Sequence, residues 1–445
     1  MKNKHLSSAQ VILISFAGLI LVGTILLMLP ISSQKGQYTP FIDALFTATS
    51  ASCVTGLVVY DTATYWSSFG QFVILLLIQI GGLGVVTMAV AVAMAAGRRI
   101  GLSMRQTMQD AISATQVGGI VRMTGFILKS CFIIETAGAI ALSFVFVPQY
   151  DLLKGLWYSL VHSVSAFCNA GFDLMGINSQ FSSLTAFTGN GIVNFTAMAL
   201  ILTGGLGFAT WADFATYRFK FHRYRLQSKI ALSASVILIV LPFFYFFCLE
   251  FSRGVWTDMT ITDRIWASLF RAVTPRTAGF NTVDMTLFTE ATIMITILLM
   301  LVGGNSGSTA GGMKISTVAV VFMTAASVFR RQSEPSVFGR RIGEDTIKNA
   351  ATILIMYISL FIGGAIAISI VEGLPLLTCM FETASAVATV GLTLGITPQL
   401  SAFSHLILIA LMYLGRVGGL TIIFATVKGI DNGNAKYPME KLTVG

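Results

Sequence analysis

Four glycines end four similar stretches of this chain at nearly equal intervals. They are Gly56, Gly171, Gly279 and Gly391, and each follows an apolar run dotted with small and polar residues. Glycine adopts backbone angles that most residues avoid, so consecutive carbonyl groups beside it can point toward one axis. Carbonyls arranged in this way replace the hydration shell of an alkali cation without adding fixed charge. The four stretches therefore predict a cation-selective filter.

The predicted ion ligands are backbone carbonyl oxygens of each glycine and of the two residues before it. One such glycine is usually explained by a turn or by helix packing, whereas four in register indicate four copies of one module around an axis. The predicted filter residues are Val54, Thr55 and Gly56; Asn169, Ala170 and Gly171; Thr277, Ala278 and Gly279; and Thr389, Val390 and Gly391.

A second glycine-rich segment interrupts the apolar stretch Ala291–Phe329. Its composition cannot continue a helix, and a helix broken at mid-membrane places flexible backbone beside a water-filled path. The shorter clusters Gly81–Gly84 and Gly204–Gly207 are instead interpreted as sites of close helix packing. The interrupting residues are Gly303, Gly304, Asn305, Ser306, Gly307, Ser308, Thr309, Ala310, Gly311 and Gly312.

The composition restricts the chain to a membrane. It is 55% hydrophobic and 11% charged, with a mean hydropathy of +0.81. A soluble fold of 445 residues cannot cover so much apolar surface with so few charges. Apolar stretches of about 20 residues, the length that spans a bilayer as a helix, recur throughout. They are Val11–Met28, Phe72–Ala96, Phe126–Val147, Gly191–Ala212, Ile230–Leu249, Ala351–Val371 and Ala402–Val427. An eighth stretch, Ala291–Phe329, is too long for one simple span and is interrupted by the glycine-rich segment.

The glycine stretches and the apolar stretches combine into one repeated unit. Each run before a filter glycine is about 10–14 residues long, which suits a re-entrant segment rather than a span. The predicted fold is an all-α polytopic membrane protein. Four pseudo-symmetric helix–pore loop–helix repeats surround one central pore, giving eight transmembrane helices and four pore half-helices. The predicted repeats are 1–97 with pore loop 43–60; 98–217 with pore loop 156–174; 218–329 with pore loop 262–283 and a broken second helix with intramembrane loop 303–314; and 330–445 with pore loop 375–394 and a short C-terminal tail.

Basic residues predict the orientation. Most Lys and Arg lie in the segments opposite the filter loops, so the positive-inside rule puts both termini in the cytoplasm of a multi-pass protein of the cell membrane. The net charge of +9 reflects this asymmetry and gives no reason to expect nucleic acid. The connector Arg330–Lys348 follows the broken helix and mixes both charges, which predicts contact with a separate soluble regulator. The contact residues predicted there are Arg330, Arg331, Arg340 and Arg341.

The cysteine pattern and the lack of nucleotide-binding motifs argue against disulfide, zinc and nucleotide sites. The five cysteines are scattered and form neither a disulfide framework nor a zinc pattern. No nucleotide-binding motif is present, so we expect no organic cofactor in this chain and no enzyme activity.

Taken together, the motifs resemble the Trk/Ktr/HKT superfamily of potassium transporters, and most closely the membrane subunit of the bacterial Ktr system. In that family a glycine in all four loops accompanies potassium selectivity, whereas serine in the first accompanies sodium transport in some plant relatives. Gly56 therefore implies K⁺ as the transported ion. The resemblance also implies that residues 303–312 obstruct the pore as a gate. It further implies a homodimer on a cytosolic ring of RCK-type subunits that bind ATP, ADP or NAD-like ligands.

Arg416 lies well inside the apolar stretch Ala402–Val427. An ionisable residue at that depth is a candidate for function. We expect Arg416 to bond carbonyls of the intramembrane loop and to hold it closed, and a purely structural link to helix ends is the alternative. Lys314, at the end of the loop, is a second candidate.

Two other functions remain open from the sequence. A sodium-coupled potassium symporter, or a less selective transporter of Na⁺ and K⁺, would share this fold and filter. A remote alternative is an intramembrane serine protease, because Gly304–Gly307 matches the GxSG pattern of that class. Such an enzyme needs a histidine base near Ser306, and the candidates are His162 and His405.

Overall fold

The structure is a computed structural model that describes residues 7–96, 101–111, 119–177, 179–332, 334–419 and 421. Across these residues the chain is almost entirely helical, and the strands are the antiparallel pair Ser336–Val337 and Arg340–Arg341. The all-α prediction is confirmed. The predicted boundary between residues 97 and 98 and the C-terminal tail lie outside the described residues.

Four long helices open the four units of the chain. They are between 21 and 31 residues long, enough to cross a hydrocarbon core about 30 Å thick. Only about a third or less of each apolar window is buried inside the protein, so the remaining apolar faces require a bilayer around them. These first helices are Ser8–Met28, Ile120–Tyr150, Leu226–Tyr245 (continued by the π-helical turn Phe246–Glu250) and Glu344–Glu372.

Four shorter helices, the pore helices, occupy the centre of the fold. With 12 to 16 residues they are too short to span a bilayer, as predicted for re-entrant segments. Each buries one phenylalanine almost completely: Phe46, Phe167, Phe270 and Phe381. The pore helices are Phe41–Ser52, Leu152–Phe167, Ile261–Val273 and Leu376–Val387.

The second helices of the first and second units are interrupted as well as that of the third, which corrects the prediction that only the third one is broken. Ser68–Leu83 and Val85–Ala95 meet at a 96° bend, and Gly191–Gly205 and Phe208–Tyr217 meet at 97°. The bends occur at glycines with positive φ, where a β-carbon would be strained. In the third unit Glu290–Leu301 and Ile315–Phe329 flank the intramembrane loop, and in the fourth Ala402–Val417 ends just before Gly418.

The remaining elements are connectors. Thr62–Tyr65 and Leu102–Ala111 are short α-helices. Short 3₁₀ turns lie at Pro30–Ser32, Thr185–Phe187, Phe221–Arg223, Gly254–Trp256, Met285–Leu287 and Thr397–Gln399.

Candidate functional site

The four predicted filter triplets, hereafter the filter segments, share one backbone conformation. The first residue of each has positive φ, between 51° and 63°, and the glycine has positive φ, between 70° and 94°. The middle residue does not. Positive φ is uncommon for residues with a β-carbon, and rarer still for β-branched ones, so its recurrence at Val54, Thr277 and Thr389 marks a backbone that packing holds in place.

The four filter segments meet in a closed ring. A β-carbon added to Gly56 would lie 2.5 Å from the carbonyl oxygen of Ala170. One added to Gly171 would lie 3.0 Å from that of Ala278, and one added to Gly279 would lie 2.7 Å from that of Val390. The ring closes where Gly391 meets the carbonyl oxygen of Thr55. Each glycine thus faces the middle carbonyl of the next segment in chain order, and no side chain fits between them.

Hydrogen bonds behind the ring fix the direction of its first carbonyls. The amide of Thr55 donates to the carbonyl of Ser50 at 2.8 Å, and equivalent bonds run from Ala170 to Ser165 and from Val390 to Ser385. Because the N–H and C=O of a trans peptide point in opposite directions, an amide held from behind turns the preceding carbonyl to the other side. In the third segment the amide of Ala278 donates to the carbonyl of Thr274, which orients the preceding carbonyl in the same way.

Two serine side chains extend this support to the middle carbonyls. Ser50 Oγ accepts from the amide of Gly56 at 3.1 Å, and Ser385 Oγ accepts from the amide of Gly391 at 3.0 Å. The equivalent hydroxyl of Ser165 is buried and has no hydrogen-bond partner among the described residues, and Val273 replaces serine in the third repeat. The sequence analysis missed these serines, although serine stands six residues before the glycine in three of the four stretches.

The second helices press glycines against the ends of the pore helices. Gly81 lies directly against the carbonyl oxygen of Ser52, and Gly204 lies against that of Phe167. Close packing at the glycine clusters was therefore correctly predicted, but the same clusters also bend the helices at Gly84 and Gly207. One cluster performs both tasks because its first glycine packs while its last one has positive φ.

The intramembrane loop lies against the second repeat. Asn305 and Thr309 donate their amides to the carbonyls of Gly205 at 3.0 Å and Gly204 at 3.3 Å, and Phe208 donates to the carbonyl of Gly307 at 2.7 Å. These bonds use the backbone groups that the helix breaks leave unpaired. The loop and the bend of the second repeat therefore stabilise one another.

The loop also touches the filter segments. A β-carbon on Gly312 would lie 2.6 Å from the carbonyl oxygen of Ala388, and Gly311 lies directly against the side chain of Thr389. The hydroxyl of Thr309 donates to Asn169 Oδ1 at 3.2 Å. The predicted loop and the predicted filter residues are thus in contact at two of the four segments.

Arg416 bonds the loop and a different repeat at once. Its guanidinium donates to the carbonyl of Thr309 in the loop and to the carbonyls of Gly81 and Gly82 in the first repeat. Lys314 Nζ donates to the carbonyls of Ala310 at 2.7 Å and Gly311 at 3.3 Å. Two cationic side chains therefore donate hydrogen bonds to backbone carbonyls close to the filter segments.

A cavity of about 320 Å³ lies beside the loop. Its walls include loop residues from Ser306 to Lys314 together with Arg416 and the bend at Gly84. Asp110 supplies an acidic side chain to the same wall. Loop residues line this cavity, whereas residues of the filter segments do not.

The predicted protease residues are not assembled. Ser306 Oγ pairs with Ser316 Oγ at 3.1 Å. His162 is bonded to the carbonyl of Tyr158 and to the amide of Leu174, and His405 is bonded to the carbonyl of Thr397. In the described part of the chain no histidine bonds Ser306, so the serine lacks the base that this chemistry needs.

The connector after the broken helix forms a small exposed hairpin. Ser336 pairs with Arg341 and Val337 with Arg340. Buried Ile342 packs with Val320 of the second half of the broken helix and with Ala350 of the next first helix. The predicted contact residues Arg330, Arg331, Arg340 and Arg341 are all exposed around this hairpin.

Comparison with known proteins places the chain in a family. Residues 4–436 match the model of the TrkH family, described as "Cation transport protein". The chain is 40% identical over 449 residues to the potassium/sodium uptake protein NtpJ of Enterococcus hirae, covering 100% of this chain and 98% of the relative. It is 40% identical over 437 residues to the Ktr system potassium uptake protein B of Bacillus subtilis, covering 98% and 96%.

The fold agrees with a solved structure. The crystal structure of the potassium transporter TrkH from Vibrio parahaemolyticus matches with a TM-score of 0.75 at 18% identity, covering 96% of this chain and 86% of that one. From the family match and these relatives, the chain belongs to the TrkH family of cation transport proteins, which are transporters rather than enzymes.

Proposed function

We propose that this protein mediates potassium uptake across the cell membrane through a selectivity filter built from backbone carbonyls. The observation that carries the proposal is the closed ring in which Gly56, Gly171, Gly279 and Gly391 each face the middle carbonyl of the next segment. Several carbonyl oxygens converging without fixed negative charge can replace the hydration shell of K⁺ and still release the ion. The names of the most similar relatives, which refer to potassium or to potassium and sodium uptake, support this choice of ion.

In this proposal residues 303–312, with Lys314 and Arg416, form a gate. The loop carbonyls that could bind a passing cation are already bonded by a guanidinium and an ammonium group. Two positive charges beside the loop also oppose onward passage of K⁺ from the filter by Coulomb repulsion, which is strong where water is scarce. Displacement of the loop would separate the Thr309 carbonyl from Arg416, which belongs to helix Ala402–Val417, and would join the filter to the cavity of about 320 Å³.

A cytosolic regulatory subunit would move the gate. The exposed hairpin with Arg340 and Arg341 is attached through Ile342 to Val320, which belongs to the helix that follows the loop. A partner that binds the hairpin can therefore pull on that helix. We further propose a homodimer on a ring of RCK-type nucleotide-binding subunits, with both termini in the cytoplasm. Two relatives are named as components of a Ktr system, which supports a multi-component assembly.

Serine substitution of the filter glycines tests the proposed function. The purified protein is reconstituted in liposomes, and uptake of K⁺ and Na⁺ is measured for Gly56→Ser, Gly171→Ser, Gly279→Ser and Gly391→Ser. Every variant should lose preference for K⁺. The loss should be largest at Gly391, which has the tightest contact, and smallest at Gly171. Gly363→Ser is the matched control, because a β-carbon at Gly363 meets nothing within 4 Å.

Electrical recordings from the reconstituted protein distinguish a channel from a sodium-coupled symporter. A current that reverses at the K⁺ equilibrium potential, whatever the Na⁺ gradient, supports a gated channel. A reversal potential that moves with Na⁺ supports coupled transport or lower selectivity. If all four serine variants fold and keep the wild-type preference for K⁺, the filter assignment is wrong.

A further inference from the structure

The side chain of Asn169 connects two filter segments with the intramembrane loop. Its exposed fraction is 1%, and all of its polar atoms have partners. Nδ2 donates to the carbonyl of Arg276 at 3.2 Å and to Thr277 Oγ1 at 3.3 Å, immediately before and within the third segment. Oδ1 accepts from Thr309 Oγ1 at 3.2 Å. One amide group therefore bonds the third segment on one side and the loop on the other.

In the described part of the chain no other first residue of a filter segment forms this connection. The equivalent residues are Val54, Thr277 and Thr389. Val54 has no polar side-chain atom, Thr389 Oγ1 has no hydrogen-bond partner among the described residues, and Thr277 Oγ1 accepts from Asn169 itself. Asparagine also tolerates the positive φ of 60° better than β-branched residues do. Asn169 is thus the first-position side chain that bonds both a neighbouring segment and the loop.

The hydrogen-bond chain continues through the loop to Arg416. The Thr309 hydroxyl lies 3.0 Å from the carbonyl oxygen of Phe167 and 3.2 Å from Asn169 Oδ1, so these two acceptors share its one hydrogen, and the Thr309 carbonyl accepts from Arg416. A displaced loop would withdraw the hydroxyl and leave Asn169 Oδ1 buried without a donor. Buried polar groups without partners are unfavourable, so the side chain would move to find one and would release the third segment.

We propose that Asn169 is a specificity-determining residue that couples ion binding in the filter to the position of the loop. The filter binds K⁺ more tightly when the loop is in place, and bound K⁺ favours the loop position seen here, because coupling between two equilibria is reciprocal. This inference rests on the proposed function, since it requires that the ring binds K⁺ and that the loop moves.

A double-mutant cycle measures the coupling. The dissociation constant for K⁺ is determined by calorimetry on purified full-length protein for the wild type, Thr309→Val, Asn169→Gly and the double variant. Glycine retains the positive φ and removes the amide. Thr309→Val should weaken K⁺ binding about 2- to 10-fold, the effect of one hydrogen bond. In the Asn169→Gly background the same substitution should have a clearly smaller effect, because only the contact with the Phe167 carbonyl is left to lose.

Controls separate coupling from a general loss of structure. Thr24→Val removes a buried hydroxyl that bonds only its own helix, at Ile20, and should leave K⁺ binding unchanged. If Asn169→Gly does not fold, Asn169→Val replaces it, because Val54 occupies the equivalent position of the first segment with a similar positive φ. Valine has neither the acceptor for Thr309 nor the donor to the third segment, so the effect of Thr309→Val should again be smaller than in the wild type.

The outcomes are distinguishable from failure of the proposed function. If the fold changes in the dissociation constant caused by Thr309→Val and Asn169→Gly multiply in the double variant, the coupling is overturned while the filter assignment stands. The same holds if Thr309→Val leaves the dissociation constant unchanged. Failure of the filter assignment appears in a different variant. If Gly391→Ser binds K⁺ as well as the wild type does, the ring is not the binding site.

Discussion

Removal of the hydroxyls of Ser50 and Ser385 should loosen two middle carbonyls of the filter. Each hydroxyl accepts from a glycine amide, at 3.1 Å for Gly56 and 3.0 Å for Gly391. The amide of Gly56 belongs to the same peptide plane as the carbonyl of Thr55, so holding the N–H behind the ring holds the C=O toward the other side. In Ser50→Ala nothing holds that amide, and the plane can rotate.

The size of the effect follows from the cost of the unpaired amide. Leaving a buried donor without an acceptor costs about 1–3 kcal/mol, and rotation of the peptide plane would relieve part of that cost. Rotation removes one carbonyl from the ring, so K⁺ affinity should fall by about 5-fold or more in either variant. The double variant should be weaker still, because the first and fourth segments are neighbours where the ring closes.

The chain supplies its own control for this experiment. Ser165 occupies the equivalent position in the second repeat, and its buried hydroxyl has no hydrogen-bond partner in the part of the chain that the structure describes. Ser165→Ala should therefore change K⁺ affinity much less than Ser50→Ala and Ser385→Ala. The assay is calorimetric K⁺ binding to purified protein, with Na⁺ binding measured in parallel. Equal effects of all three substitutions in folded protein would refute the reasoning about peptide rotation.

Three further changes test other parts of the structure. Arg416→Gln removes a charge-assisted bond to the loop worth about 1.5–3 kcal/mol, so flux into liposomes should rise about 10- to 150-fold. Arg416→Lys, which keeps the charge, should have a smaller effect, and flux at or below the wild-type level in folded Arg416→Gln would contradict the gate. Gly81→Ala places a methyl group against a pore-helix carbonyl and should lower the yield of folded protein and its melting temperature. Gly205→Ala, with its nearest contact at 3.7 Å, should be tolerated, and equal stability of the two variants would contradict the packing argument. Charge reversal at Arg340 and Arg341 should abolish co-purification of a cytosolic partner from native membranes, and undiminished recovery of that partner would exclude the hairpin as its docking site.

The sequence alone was sufficient for the fold class and for the candidate filter. Hydropathy and the length of apolar runs depend on local composition, so the long first helices and the short pore helices were predictable. The repeated glycine was predictable for the same reason, because its conformational role is local to each stretch. The positive φ at Gly56 and its three equivalents agrees with that interpretation.

The sequence was less informative about the second helices. It predicted a break at Gly303–Gly312, where ten residues cannot form a helix, but it interpreted Gly81–Gly84 only as a packing site. A glycine can pack, bend a helix or do both, and its surroundings decide which. The carbonyl of Ser52 and the loop around Asn305 come from other parts of the chain, and their positions decide where each second helix bends.

Only the tertiary structure decided which groups meet across repeats. Arg416 was expected to bond the loop, but its bonds to Gly81 and Gly82 join residues more than 300 positions apart. The bonds of Asn169 to Thr277 and Thr309 likewise cross repeat boundaries. Residue type specifies what a donor can bind, whereas the packing of four similar units around one axis determines which acceptor lies within reach. The residues of the proposed filter can therefore be identified from the local sequence, whereas the hydrogen bonds between these residues and the loop can be identified only in the folded chain.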